Sequence, residues 1–138
     1  MSAAWAPPSD AVRAVIVGHA WDAVRVPDEL GIRALHRLKD GSGAVIGDAI
    51  GRCLYWLIPP GTADGWQLPG IQVLNAGPPG VLRFVEVPPA GMVCGPGPHW
   101  VVPYQTDAYL TSAEQLHEAL RADADELAPA EPAPGGAR

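Results

Sequence analysis

Lysine is almost missing from this chain: Lys39 is the only one in 138 residues, and no two arginines are adjacent. Through Gln105 there are 7 basic and 8 acidic side chains, and from Thr106 onward 2 and 7, so the net charge of −6 gathers toward the C-terminal end. Tight nucleic-acid binding draws on a basic surface that displaces counterions from phosphates, and no such surface is legible here. Two cysteines, Cys53 and Cys94, are too few for a disulfide framework. No apolar run approaches the ~18 residues of a membrane helix. Residues 1–8, Met-Ser-Ala-Ala-Trp-Ala-Pro-Pro, have neither the basic nor the apolar region of a secretory signal. The expectation is a soluble cytoplasmic protein with reduced thiols and no membrane partner.

Apolar residues make up 48% of the chain, which is a globular rather than a disordered composition. The length suits one domain over residues 1–127. The Pro-, Ala- and Gly-rich residues 128–138 are expected to be a disordered tail. Glycine and proline, 16 of each, mostly separate short apolar runs and so mark turns.

Apolar runs predict strands over 12–17, 21–26, 44–46, 53–58, 71–74, 81–87 and 99–102. A hairpin is expected across residues 47–52. The strands at 71–74 and 81–87 are expected around the turn Gly77-Pro78-Pro79-Gly80. Residues 28–38 read as a helix: acids follow Pro27, Leu30, Ala34, Leu35 and Leu38 share one face, and Gly41 ends it. Thr111-Ser112-Ala113-Glu114 has the form of a capping box with Thr111 as cap. The helix after it should turn Leu116, Ala119 and Leu120 inward and fray near Asp123. The order β-β-α-β-β-β-β-β-α is α+β, a mostly antiparallel sheet with two main helices packed on it.

Three blocks of this sequence resemble the primase-polymerase family (archaeo-eukaryotic primase fold). Gly51-Arg52-Cys53-Leu54-Tyr55-Trp56 is similar to that family's Gly-Arg-His-Leu-Tyr-Phe strand. Residues 15–27 followed by Gly31-Ile32-Arg33-Ala34-Leu35 resemble its strand ending in Asp-x-Asp and its Gly-Leu-x-Ala-Leu helix. Residues 81–89, followed by the Gly95-Pro96-Gly97-Pro98-His99-Trp100 run, resemble its Tyr-Val-x-x-Pro-Pro strand and closing Trp. The resemblance implies a small primase-polymerase-like domain. Two carboxylates at i and i+2 share a strand face and can hold divalent metal against a triphosphate. The corresponding positions here are Arg25 and Pro27. Cys53 stands at the histidine position, and no acid lies in Gln72-Val73-Leu74-Asn75, near which a third carboxylate belongs. The resemblance therefore implies a degenerate site with no catalytic residue, no metal and no cofactor.

Cys53, Cys94, His19 and His99 include no close ligand pair of the zinc type, and Cys53 lies in an apolar strand, where thiols are usually inert. Gly95-Pro96-Gly97-Pro98 lacks the following helix of a phosphate loop and reads as a rigid turn. Of five tryptophans, Trp21, Trp56 and Trp100 are expected in the core, and Trp5 and Trp66 outside it. The expected function is a non-catalytic accessory or binding protein that contacts a protein partner or itself, with Trp66 as the anchor. The first alternative is residual nucleotide or nucleic-acid binding in DNA replication, with Arg25, Arg52, Arg83 and His99 meeting phosphates. The second is an active primase-polymerase.

Overall fold

The structure, a computed structural model, describes residues 5–127. The tail expected over 128–138 lies outside the described residues. The elements are β1 (Arg13–Ile16), β2 (Asp22–Pro27), α1 (Asp28–Leu38), β3 (Val45–Asp48), β4 (Cys53–Ile58), β5 (Gln72–Leu74), β6 (Phe84–Val87), β7 (Pro98–Val102) and α2 (Ala113–Leu127). A 3₁₀ turn, Lys39–Gly41, follows α1. The two helices pack against antiparallel sheets, an α+β fold in the order the sequence predicts.

The strands form two sheets. The larger runs β5-β2-β4-β3-β7, and β1 and β6 form a separate two-stranded ribbon. Every pairing is antiparallel. β4 is central and buried on both faces, so its sequence is a continuous apolar run rather than an alternating one. Leu54, Trp56 and Ile58 face the helices, with Val24, Val26, Leu30, Ala34, Leu116 and Leu120. Leu57 faces the other way, into a second core of Val17, Trp21, Ala23, Ile46, Val85, Val87 and Trp100. That second core is where the ribbon lies over the sheet. Trp21, Trp56 and Trp100 are all buried, as the sequence predicts.

α1 sits close to β4 because it carries Gly31 on its inner face. A Cβ there would stand 2.6 Å from Leu54 Cδ1. Gly18, in the β1–β2 turn, holds φ at 97°, and a Cβ on it would meet the Ala76 backbone at 2.9 Å. Glycine is the residue that meets both demands.

Four expectations need correction. The turn at residues 77–80 forms, with the Val81 N–H donating to the Pro78 carbonyl at 2.9 Å, but β5 and β6 do not pair across it. β5 joins β2 and β6 joins β1, because each apolar strand goes to the face that buries it. Thr111 does not cap α2. It is buried, and its hydroxyl accepts the Gly43 N–H at 2.8 Å. The exposed Ser112 takes the cap, accepting from the Gln115 N–H at 3.3 Å. α2 continues past Asp123 to Leu127, because Arg37 on α1 grips the Asp123 carboxylate. Trp5 and Trp66, both expected outside, are half-buried, Trp5 against the second core and Trp66 against the helix-side core.

Candidate functional site

The sheet face opposite the helices is covered at one end by the ribbon and open at the other. Cross-strand partners share a face, so the register places Gln72, Arg25, Tyr55 and Ile46 in one row across β5, β2, β4 and β3. The next row holds Pro27, Cys53, Asp48 and Pro98. The positions that the resemblance assigns to two metal carboxylates and a histidine are Arg25, Pro27 and Cys53, and Gln72 opens the Gln72–Leu74 stretch where it places a third acid. They stand together at this open end. As donors they are a guanidinium, a pyrrolidine, a thiol and an amide, a set that repels or ignores a hard divalent cation. Among the described residues no three His, Cys, Asp or Glu side chains are grouped to hold a metal ion.

Arg25, Tyr55 and Cys53 form a small polar cluster on this floor. Burial, and then the Cys53 thiol, push the Tyr55 hydroxyl above its ordinary range, while Arg25 pulls it back. Tyr55 is thus a neutral phenol at neutral pH, able to donate and accept. The Tyr55 hydroxyl in turn holds the Arg25 guanidinium above its ordinary range. Asp48 stands beside them, its Oδ1 accepting the Gly51 N–H at 3.2 Å.

Between this floor and the ribbon runs a cleft of about 200 Å³. Ile46, Tyr55 and Pro98 line the floor, Asp48 and Glu86 supply negative charge, and Phe84 and Val85 form the lip. Phe84 is the only phenylalanine in the chain, yet it is 52% exposed. Among the described residues β6 pairs with β1 alone, so its second edge has no strand partner there. A larger hollow of about 630 Å³ lies between α1 and α2, but it is an open groove on the other side of the sheet, away from this cluster.

The phosphate candidates do not form one site. Arg25 is on the open floor. Arg52 is exposed in the β3–β4 turn with φ at 57°. Arg83 precedes β6 and donates to Asn75 Oδ1 at 2.9 Å, toward the opposite end of the sheet. His99 pairs with Gly47 on β7, and its Nε2 lies by the same Gly47 position that Leu54 approaches, on the helix face. Trp66 is half-buried against the helix-side core. Its ring stands edge-on to His117 at 4.9 Å, over a hollow of about 320 Å³. Of the imagined zinc ligands, His19 and Cys94 are exposed in separate loops, and Cys53 is buried.

Sequence reasoning missed the cleft and its lip. A signal for Phe84 was present: Phe84-Val85-Glu86-Val87 alternates, and burial follows that alternation, with Val85 and Val87 inward. Such a strand has one face on the core, which leaves Phe84 and Glu86 outside.

Comparison with protein-family models, with curated proteins and with solved structures found no match to this chain.

Proposed function

We propose that this protein is a non-catalytic binding protein that takes a protein partner at the open end of its sheet. The observation that carries the reading is Phe84, a large aromatic left more than half exposed on the lip of a cleft beside an unpaired strand edge. Exposed aromatics of this kind anchor interfaces, and an unpaired edge accepts an extended segment by main-chain hydrogen bonds. Asp48 and Glu86 set the charge of the segment that fits: basic, with an apolar side chain for the cleft. The donor set at Arg25, Pro27, Cys53 and Gln72 supports the non-catalytic half of the reading, since metal-assisted nucleotidyl transfer draws on carboxylates.

The test is selection from a random peptide library, followed by titration of the enriched peptides. Enriched sequences should pair Lys or Arg with an aliphatic or aromatic residue. Phe84→Ser and Glu86→Lys should each weaken binding by about tenfold or more, the scale of one lost anchor. Peptides indifferent to Phe84→Ser would sink the surface. Incorporation of labelled nucleotide on a primed template by the untagged protein would sink the non-catalytic reading.

A further inference from the structure

At the other end of the same sheet face, by Trp21 and Ala44, the chain binds a piece of itself. Trp5 sits among three aromatic rings. Its centroid lies 5.4 Å from Trp21, edge to face, 5.7 Å from Tyr104 and 5.5 Å from Tyr109. Tyr104 and Tyr109 are themselves 5.2 Å apart. The backbone of Trp5 is held too. Its carbonyl accepts from the Tyr104 hydroxyl. A ring packed in an aromatic box, with the main-chain carbonyl of the same residue captured, is how one residue of an extended peptide is recognised.

Beyond Trp5 the segment is lightly held. The Pro8 carbonyl accepts the Ala90 N–H at 3.3 Å, and residues 9–12, which lead into β1, are all exposed. The match is also incomplete. Trp21 is 1% exposed, and its indole N–H has no acceptor among the described residues. Proteins rarely leave a buried donor unpaired, so an occupant that offered Trp21 an acceptor would fit better than Trp5 does.

We propose that this box is a recognition site for a tryptophan-bearing extended segment of a partner protein, with residues 5–8 of the chain as a built-in competitor. The chemistry of the partner is read from the present occupant: an indole, with a main-chain carbonyl free to accept on the same residue. The site is separate from the Phe84 cleft and does not rest on it.

The probes are the capped tetrapeptide Trp-Ala-Pro-Pro, which copies residues 5–8, and its Ala-Ala-Pro-Pro control. Both are titrated by calorimetry into the full chain and into its Trp5→Ala variant. Trp5→Ala should bind the tryptophan peptide at least about tenfold more tightly than the wild type, because the competitor is gone. The control should bind neither. A folded variant that ignores the tryptophan peptide, or binds both peptides alike, overturns the proposal. A dimer that forms only when Trp5 is present makes the occupant a second copy and overturns the partner assignment. Hydrogen exchange on the wild type needs no variant to fold. The Ala90 amide should exchange by local opening, about a hundredfold or more faster than the β4 amides. Exchange of Ala90 only with global unfolding overturns displacement.

Discussion

Arg37 and Asp123 lie 86 residues apart and meet through two hydrogen bonds, Nε to Oδ2 at 2.7 Å and Nη2 to Oδ1 at 3.1 Å. The pair ties α1 to α2, with the Asp123 side chain 4% exposed and Arg33 standing off at 3.8 Å.

Arg37→Ala should lower Tm by several degrees, and Arg33→Ala should lower it less. Hydrogen bonding to Arg37 holds the Asp123 carboxyl below its ordinary range. A depressed folded-state value stabilises above the unfolded value and is lost as pH falls through the folded one. Urea melts taken downward from neutral pH should therefore show this contribution draining away below the ordinary carboxylate range. In Arg37→Ala that part of the pH dependence should flatten. Parallel profiles for the two proteins would count against the pairing.

Asp22 has the opposite sign. It is 1% exposed, its Oδ2 accepts the Gly61 N–H at 2.8 Å, and its Oδ1 has no partner among the described residues. Burial pushes its carboxyl above the ordinary range, with Asp64 adding to the shift and the Gly61 N–H opposing it. The folded state therefore binds this proton more tightly than the unfolded one, and stability should fall as pH rises from the ordinary carboxylate value through the raised one. Asp22→Asn keeps an oxygen for Gly61 and removes the charge. Its melts should lose that slope and be no less stable than the wild type at neutral pH. A variant that is less stable at neutral pH and keeps the slope would contradict the assignment.

The two residues before α2 divide their work, and chemical denaturation can read the division. Thr111→Val strands the buried Gly43 N–H and should cost about 1–3 kcal/mol. Ser112→Ala removes a long, exposed cap bond and should cost about 0.5–1 kcal/mol. The reverse ranking would contradict the weight given to the buried Thr111–Gly43 bond.

Phe84 and Trp100 should separate surface from core. Phe84→Ser, at an exposed position, should leave stability within about 0.5 kcal/mol. Trp100→Ala should cost about 3–5 kcal/mol. Trp100 is 1% exposed, and its indole N–H reaches the Pro88 and Pro89 carbonyls at 3.1 Å each. A Phe84→Ser protein as damaged as Trp100→Ala would mean the lip belongs to the core.

Local signals were legible where punctuation and periodicity agree. α1 runs over residues 28–38 as its apolar spacing and acidic start predict, and β4 runs over 53–58 between a turn and two prolines. Pairing was not legible, because it is decided by burial at long range. Nothing near Val81 announces that the strand starts only at Phe84, or that its partner lies near residue 14. The candidate site divides the same way. Strand parity puts Cys53 and Tyr55 on one face and Phe84 beside Glu86. That the lip of β6 stands over the β3–β4 floor follows from tertiary packing alone. The Trp5 box is the extreme case, joining residues about a hundred positions apart with no local cue.

The ribbon also fixes an order of events during synthesis. β2, β3 and β4 adjoin α1 in sequence and can pair as soon as residue 58 has emerged. β1 must wait for Phe84–Val87, and α1 must wait for α2. Until then the strand at Arg13–Ile16 stays unmatched and the second core stays open on the nascent chain. Distant pairing of this kind slows folding and prolongs exposure of sticky surface. A nascent chain that has emerged only as far as residue 83 would therefore carry a half-sheet with one apolar face bare, and that is the stage at which a chaperone has something to hold.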